Sequence, residues 1–272
     1  MKPISKTAFY CCGVRMQDAE QSKPVCGDVY AKSFMNEDGL QILETFKDET
    51  RPNASNVARH RIMDDLLRQE LLANPTLTVV IIGAGFDSRA FRLKGGTWVE
   101  LDEPQVITYK NERLPASSCE NELHRIPIDF STDSLEEKLA PFSSRNPVVV
   151  VIEGVFMYLE QDVIEELLQT LRRVFPRHKL ICDLMTRQFF ENYGRTIHEK
   201  LTGMGASFKF TVDNPEETFL KNGYSRTETI SIIEKSMAFS GAPAILRKLW
   251  KILARGLLRG YSIYVFSHGL NG

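Results

Sequence analysis

The sequence predicts an α/β fold built on a doubly wound, mostly parallel sheet, with an antiparallel terminal strand and a helical N-terminal extension. Two observations carry that expectation. Short apolar runs alternate with helix-length amphipathic segments, as right-handed β-α-β crossovers require. The last runs alternate in polarity instead, like antiparallel strands with one wet face.

The elements follow in order. Residues 5–35 and 56–73 read as helices, the second with Ile62, Leu66, Leu67 and Leu71 on one face. Leu77–Ile82 (LTVVII) is a β-branched run ended by Gly83 and reads as the first strand. Thr97–Leu101 (TWVEL) is the second. His124–Ile128 (HRIPI) is a weaker third, because Pro127 cannot donate to a central ladder. Pro147–Ile152 (PVVVVI) is the clearest strand, a Val run of the kind buried on both faces, and His178–Cys182 is a fifth. Helical patterns fill Pro104–Leu114, Ser134–Ala140 and Gln161–Phe175. In the last of these Val163, Leu167, Leu168 and Leu171 are expected to face the sheet, with Glu165, Glu166, Arg172 and Arg173 outward. Tyr224–Ile232 and Tyr261–Phe266 form the terminal pair, expected as an antiparallel edge. No repeat or low-complexity linker interrupts the chain, so one domain is expected: a helical cap over 1–75, a binding core over 76–185 and a C-terminal part over 186–272.

Composition excludes several classes. With 272 residues, 43% hydrophobic and 25% charged, the chain can bury a large core. Thirty-four Lys and Arg against thirty-five Asp and Glu leave no basic excess for a duplex, so no nucleic-acid partner is expected. No apolar run reaches the roughly 18 residues of a membrane span. The start, MKPISKTAFYCC, lacks the apolar segment and cleavage site of a secretory signal, which predicts a cytoplasmic protein in which Asn53-Ala54-Ser55 goes unglycosylated. Five cysteines without C-x-x-C spacing, and five scattered histidines, predict no metal site. Residues 244–259 are basic and amphipathic, with Leu246, Leu249, Trp250, Leu253 and Leu257 on one face and Arg247, Lys251, Arg255 and Arg259 at every fourth position. Gly256 and Gly260 interrupt this segment, so a core-packed helix with a wet basic face is expected rather than membrane-surface contact.

Open α/β sheets bind ligands at the carboxyl ends of their strands. The first strand ends in Gly83-Ala84-Gly85-Phe86-Asp87-Ser88-Arg89, where Gly83 and Gly85 permit a tight turn and close ligand approach. A dinucleotide site would favour a third Gly at position 88. Ser88 stands there, and Asp87 at the helix entrance would repel a pyrophosphate. Asp102 lies nineteen residues past Gly83, the spacing of an acid that grips a ribose diol; ahead of Glu103-Pro104 it also suits a helix cap. Asp129-Phe130, behind the third strand, offers a polar group and a ring face suited to adenine. Glu153 follows the four-valine run, where a carboxylate needs either a cleft or a partner Arg.

In this order and spacing, VVIIGAGFDSRAFRL, WVELDEPQVITYK, IPIDF and VVIEGVFMYL resemble the leucine carboxyl methyltransferase-like family, which includes polyketide O-methyltransferases. The resemblance runs from Ser5 to Leu171 and is strongest from Arg59 to Leu159; the specific signal is GAGxDSRAxRL together with EGxxMYL. It implies a class I, Rossmann-like methyltransferase fold and S-adenosylmethionine as cofactor. It implies roles as well: the Gly83-Ala84-Gly85 turn, with Asp87 behind it, under the methionine part, Asp102 on the ribose, Asp129 and Phe130 on the adenine, and Glu153 on the amino or sulfonium end. Arg59, in Ala58-Arg59-His60-Arg61, matches an Arg that binds the cofactor carboxylate, with Arg61 as the alternative in register. Lys6 matches more loosely a Lys that reaches the cofactor. Charge logic agrees, since a free amino-acid moiety needs a cation and an anion, and Arg59 with Glu153 supplies both. Most methyltransferases carry an acid two residues before the first Gly; this chain has Ile81, a departure that the resembled family shares.

Methyl transfer from a sulfonium is an in-line displacement, accelerated mainly by alignment in a dry pocket. No G-x-S-x-G elbow, P-loop or Ser-His-Asp order supports other chemistry. The expected function is therefore O-methylation of a carboxyl or hydroxyl group on a small molecule, polyketide-like on the resemblance alone. An NAD(P)-dependent oxidoreductase is the alternative, opposed by Asp87 and Ser88; a cofactor-binding protein without turnover is another. Tyr10, Tyr158, Tyr193 and His198 are candidates to face the acceptor. Phe189, Phe190, Phe208, Phe210 and Phe219 either line an aromatic pocket or fill the core.

Overall fold

A computed structural model describes residues 2–145, 147–241 and 255–270. Its seven strands are β1 (Thr78–Ile82), β2 (Thr97–Asp102), β3 (Glu122–Pro127), β4 (Val148–Ile152), β5 (His178–Met185), β6 (Ser225–Ser231) and β7 (Tyr261–His268). They form one sheet in the order β3-β2-β1-β4-β5-β7-β6. The pairs among β1 to β5 are all parallel, and β7 runs antiparallel to both β5 and β6. The antiparallel strand is thus the last in the chain, yet it lies inside the sheet, with β6 at the edge. The chain winds outward through β2 and β3 on one side of β1 and through β4 and β5 on the other. That reversal opens a crevice between the β1 and β4 tips.

The side-chain alternation of the strands divides the interior into two layers. Val80, Ile82, Val148, Val150 and Ile152 face one core, while Val79, Ile81, Val149 and Val151 face the other. The helices used below are α1 (Pro3–Ala19), α2 (Ala31–Phe34), α3 (Glu37–Thr45), α4 (Thr50–Ala73), α5 (Arg89–Arg92), α6 (Pro104–Arg113), α7 (Leu135–Leu139) and α8 (Gln161–Val174). α8 covers the first layer through Ile164, Leu168 and Leu171; Val163, expected to face the sheet, is 44% exposed. α4 covers the second through Ile62, Met63, Leu67 and Leu71. Pro127 ends β3, an edge strand, where its missing N–H disturbs the ladder least.

The helix expected over 5–35 is broken. α1 stops at Ala19 and the chain turns through Pro24 and Gly27, the latter at φ 62°. The Asp18 carboxylate accepts the Val25, Cys26 and Gly27 N–H groups at 2.8–2.9 Å, so the turn's donors are met by a side chain rather than by a helix. α1 and α2 then roof the β1 tip. Phe86, one residue past Gly85, packs edge-on to Phe9 at 4.8 Å and stacks on Phe34 at 5.3 Å. Most of the basic segment 244–259 lies outside the described residues; its end, Arg255–Gly260, is helical. Among the described residues no helix is long and apolar enough to cross a membrane.

Candidate active site

The β1 tip is shaped by close approach. Gly83 has φ 70°, and a Cβ there would stand 2.6 Å from Val155 Cγ2, so neither the conformation nor the space admits a side chain. Gly85 has φ 46° and passes beneath Ala8 of α1. Its N–H donates to Asp102 Oδ2 at 2.6 Å, and the Glu103 N–H donates to Oδ1 at 2.7 Å. The β2 acid is thereby fixed against the turn. Burial raises Asp102 to about 6, with the two N–H donors and the Lys110 ammonium pulling the other way.

Ser88 has a structural explanation. It is fully buried and donates to Asp28 Oδ1 at 2.5 Å; Arg15 Nε reaches Asp28 Oδ2 at 2.9 Å, and Arg15 Nη2 donates to the Phe86 carbonyl at 2.8 Å. The hydroxyl that stands where a dinucleotide site would carry Gly ties the N-terminal cap to the β1 loop. The helix that follows, α5, has only four residues.

Under the β4 tip lies a buried ionic network. Glu153 Oε1 accepts from Arg59 Nε at 3.0 Å, and Oε2 lies 2.7 Å from Arg89 Nη2 and 3.2 Å from His60 Nδ1. Arg89, wholly buried, also pairs with Asp64 at 2.7 Å and with Asp87. Burial pushes Glu153 up, but Arg89, His60 and Arg59 overcome it and hold the carboxyl well below its usual range. His60, Asp87 and Glu153 are the group of potential metal ligands found among the described residues, and the Arg89 guanidinium contacts all three.

Two cavities meet here. The first, about 600 Å³, runs along the β1, β2 and β4 tips and is lined by Arg59, Gly83, Ala84, Gly85, Asp87, Asp102, Phe130 and Glu153. The second, about 760 Å³, lies beside it and is lined by Met157, Met185, Phe189, Tyr193, Phe208, Met237 and Tyr261 together with polar side chains such as Asp48, Glu49, Arg51 and Asn192. Thr7, Cys11, Arg59, Gly154 and Tyr158 line both.

Eight of the eleven predicted cofactor residues therefore share one wall. Three do not. Lys6 is exposed, because the inward face of α1 is carried by Ser5, Ala8, Cys11 and Arg15. Arg61 turns away to Asp65 at 2.9 Å and the Val25 carbonyl at 2.6 Å. Asp129 pairs with Lys2 at 3.0 Å and accepts from the Ser131 hydroxyl at 2.5 Å, outside the cavity wall. Of the acceptor candidates, Tyr10, Tyr158 and Tyr193 line the second cavity; His198 does not, and packs against Phe208. Phe189 and Phe208 belong to that cavity, whereas Phe219 and Phe210 fill the core below α8. Asp183 and Tyr261, which contact Arg59, were not foreseen.

The fold alone places the chain among Rossmann-like proteins. It superposes on a DUF574 family protein from Streptomyces avermitilis with a TM-score of 0.60 at 12% identity, covering 94% of this chain and 99% of that one. Residues 9–172 match the family described as leucine carboxyl methyltransferase. The chain is similar to the S-adenosyl-L-methionine-dependent methyltransferase dpfgK of Gibberella zeae, 27% identical over 220 residues that cover 75% of this chain and 73% of the other. It is also similar to the tetracenomycin polyketide synthesis O-methyltransferase TcmP of Streptomyces glaucescens, 26% identical over 217 residues covering 78% and 76%. The chain belongs to the leucine carboxyl methyltransferase family: it is a methyltransferase, and its methyl donor is S-adenosylmethionine. The nicotinamide alternative falls with that assignment.

Proposed function

We propose that this enzyme methylates an oxygen of an apolar, ring-bearing small molecule, of the polyketide kind, held in the second cavity while the donor lies in the first. The observation that carries this reading is the shared wall of Thr7, Cys11, Arg59, Gly154 and Tyr158, which sets the two chambers side by side.

The first chamber fits a zwitterionic nucleoside along its length. The Phe130 ring, 44% exposed, stands at the adenine end. Asp102, held by two backbone donors, accepts from a ribose diol. Arg59 and Glu153 provide the cation and the anion for the amino-acid end. When bound, the donor supplies an electrophilic methyl on a sulfonium. The protein aligns an oxygen with it and keeps water out, which Met157, Met185, Phe189 and Phe208 do on the acceptor side. A carboxylate or an acidic phenol arrives able to attack without a base. The similarity to a tetracenomycin polyketide synthesis O-methyltransferase supports an acceptor of the polyketide kind.

Incubation with methyl-labelled donor and a panel of aromatic polyketide phenols and acids tests this. Label transferred to an oxygen of a ring-bearing member is expected. Transfer confined to peptide C-termini would overturn the small-molecule reading.

A further inference from the structure

The β5 tip carries an acid to which the functional reading above gives no role. Asp183 is 1% exposed, and both its oxygens are engaged. Oδ1 accepts the Gly154 N–H at 2.7 Å; Oδ2 accepts the Tyr261 hydroxyl at 2.8 Å and lies 3.3 Å from Arg59 Nη1. Arg59 Nη1 donates in turn to the Tyr261 oxygen at 2.7 Å, and Arg59 Nε holds Glu153 at 3.0 Å.

A guanidinium is flat, so fixing Nε and Nη1 fixes where Nη2 points. Among the described residues Nη2 has one hydrogen-bond partner, the Cys11 sulfur at 3.9 Å, a long and weak contact. That free edge belongs to a residue lining both cavities. Its path is kept clear by Gly154, where a Cβ would stand 3.0 Å from Nη2 and where φ is 66°. The sheet explains the meeting: antiparallel pairing of β7 with β5 sets Tyr261 opposite Met185, two residues beyond Asp183.

We propose that Asp183, together with Tyr261, is the positioning residue for the amino-acid end of the methyl donor, holding Arg59 so that its free edge meets the donor's carboxylate. This rests on the reading of Arg59 as the carboxylate's partner. It also makes one device common to both chambers, since Tyr261 lines the acceptor cavity and Arg59 lines both.

Calorimetric affinities for S-adenosylhomocysteine and for 5′-methylthioadenosine, which lacks the carboxylate and ammonium, separate the two claims. In Arg59→Lys, which keeps the charge but loses the fork, S-adenosylhomocysteine is expected to weaken about tenfold or more, the scale of a lost charge-assisted bond, with methylthioadenosine unchanged. If it does not weaken, the Arg59 reading itself fails. Asp183→Asn keeps the size and the Gly154 bond; it is expected to weaken S-adenosylhomocysteine about tenfold and to leave methylthioadenosine within about twofold. Tyr261→Phe, a gentler change that carries the same expectation should Asp183→Asn fold poorly, is expected to give a loss in the same sense, about threefold. The proposal is overturned if Arg59→Lys shows the selective loss while Asp183→Asn and Tyr261→Phe do not. It is equally overturned if both ligands weaken together, since that is the mark of a merely structural role.

Discussion

On the proposed reading, the donor and acceptor chambers of this enzyme differ in how firmly their walls are fixed. The donor chamber is walled by backbone turns and charges whose partners are fixed: Asp102 by two N–H groups, Glu153 by Arg59, Arg89 and His60. The acceptor chamber mixes Met, Phe and Tyr side chains with polar ones, among them Asp48, Glu49, Arg51 and Asn192. A polar wall admits one ligand in one pose, because every misplaced partner leaves a buried group unpaired. Met157, Met185 and Met237, which share the acceptor wall, tolerate change of shape. Divergence among relatives that share one donor and differ in acceptor is therefore expected in the second chamber.

The sharpest break in this contrast is Arg89→Met. Removing a wholly buried cation leaves Asp64, Asp87 and Glu153 short of their partner, and a stability loss of about 3–5 kcal/mol is expected in chemical denaturation. A change below about 1 kcal/mol would mean the network is solvated rather than dry. Next in size, Asp102→Ala is expected to weaken S-adenosylhomocysteine by about 1.5–3 kcal/mol, the worth of hydrogen bonds to a charged group; unchanged affinity in calorimetry removes Asp102 from the ribose.

The pH dependence is smaller and has a definite sign. Asp102 must be ionised to accept from both hydroxyls of a diol. With its value raised to about 6, affinity should be level above pH 7 and fall as pH drops through 6. Protonation at Asp102 itself favours the folded state, because burial penalises its charge. The surrounding network behaves oppositely: Arg15 and Arg92 hold Asp28 at about 2 despite burial, so its stabilising contribution is complete above the unfolded carboxylate value and is lost only toward pH 2. The fold thus persists across the window in which binding weakens, and a titration from pH 5 to 8 that shows flat affinity contradicts the ribose role. Smallest of all, Phe208→Ala should leave S-adenosylhomocysteine affinity within about 0.5 kcal/mol while raising the acceptor KM. An equal effect on both ligands would show that the chambers are not separable.

The sequence made the donor chamber legible and the acceptor chamber opaque, for physical reasons. An apolar run ended by Gly-x-Gly, and acids placed directly behind such runs at Asp102 and Glu153, are local signals of strand tips. Asp183 carries the same signal behind Lys179-Leu180-Ile181-Cys182, but a strand read as ending at Cys182 hid its relation to the site. Arg61 and Lys6 sit one or two positions from inward-facing residues, and helical phase alone separates Arg59 and Ser5 from them. The acceptor wall gathers Tyr10, Met157, Phe208, Met237 and Tyr261 from distant parts of the chain. No spacing rule links them, and an aromatic in a pocket looks like one in a core.

The placement of β7 bears on how the molecule assembles. β6 touches the sheet only through β7, which comes after it in the chain. During synthesis the first five strands can pair as they emerge, whereas the sixth must wait for its successor to slot in beside β5. Tyr261 arrives with that successor. A nascent chain can thus form the nucleoside end of the donor chamber early, but the Arg59 anchor and the acceptor chamber are completed only when the final strand docks, so slow refolding should restore methylthioadenosine affinity before it restores S-adenosylhomocysteine affinity and turnover.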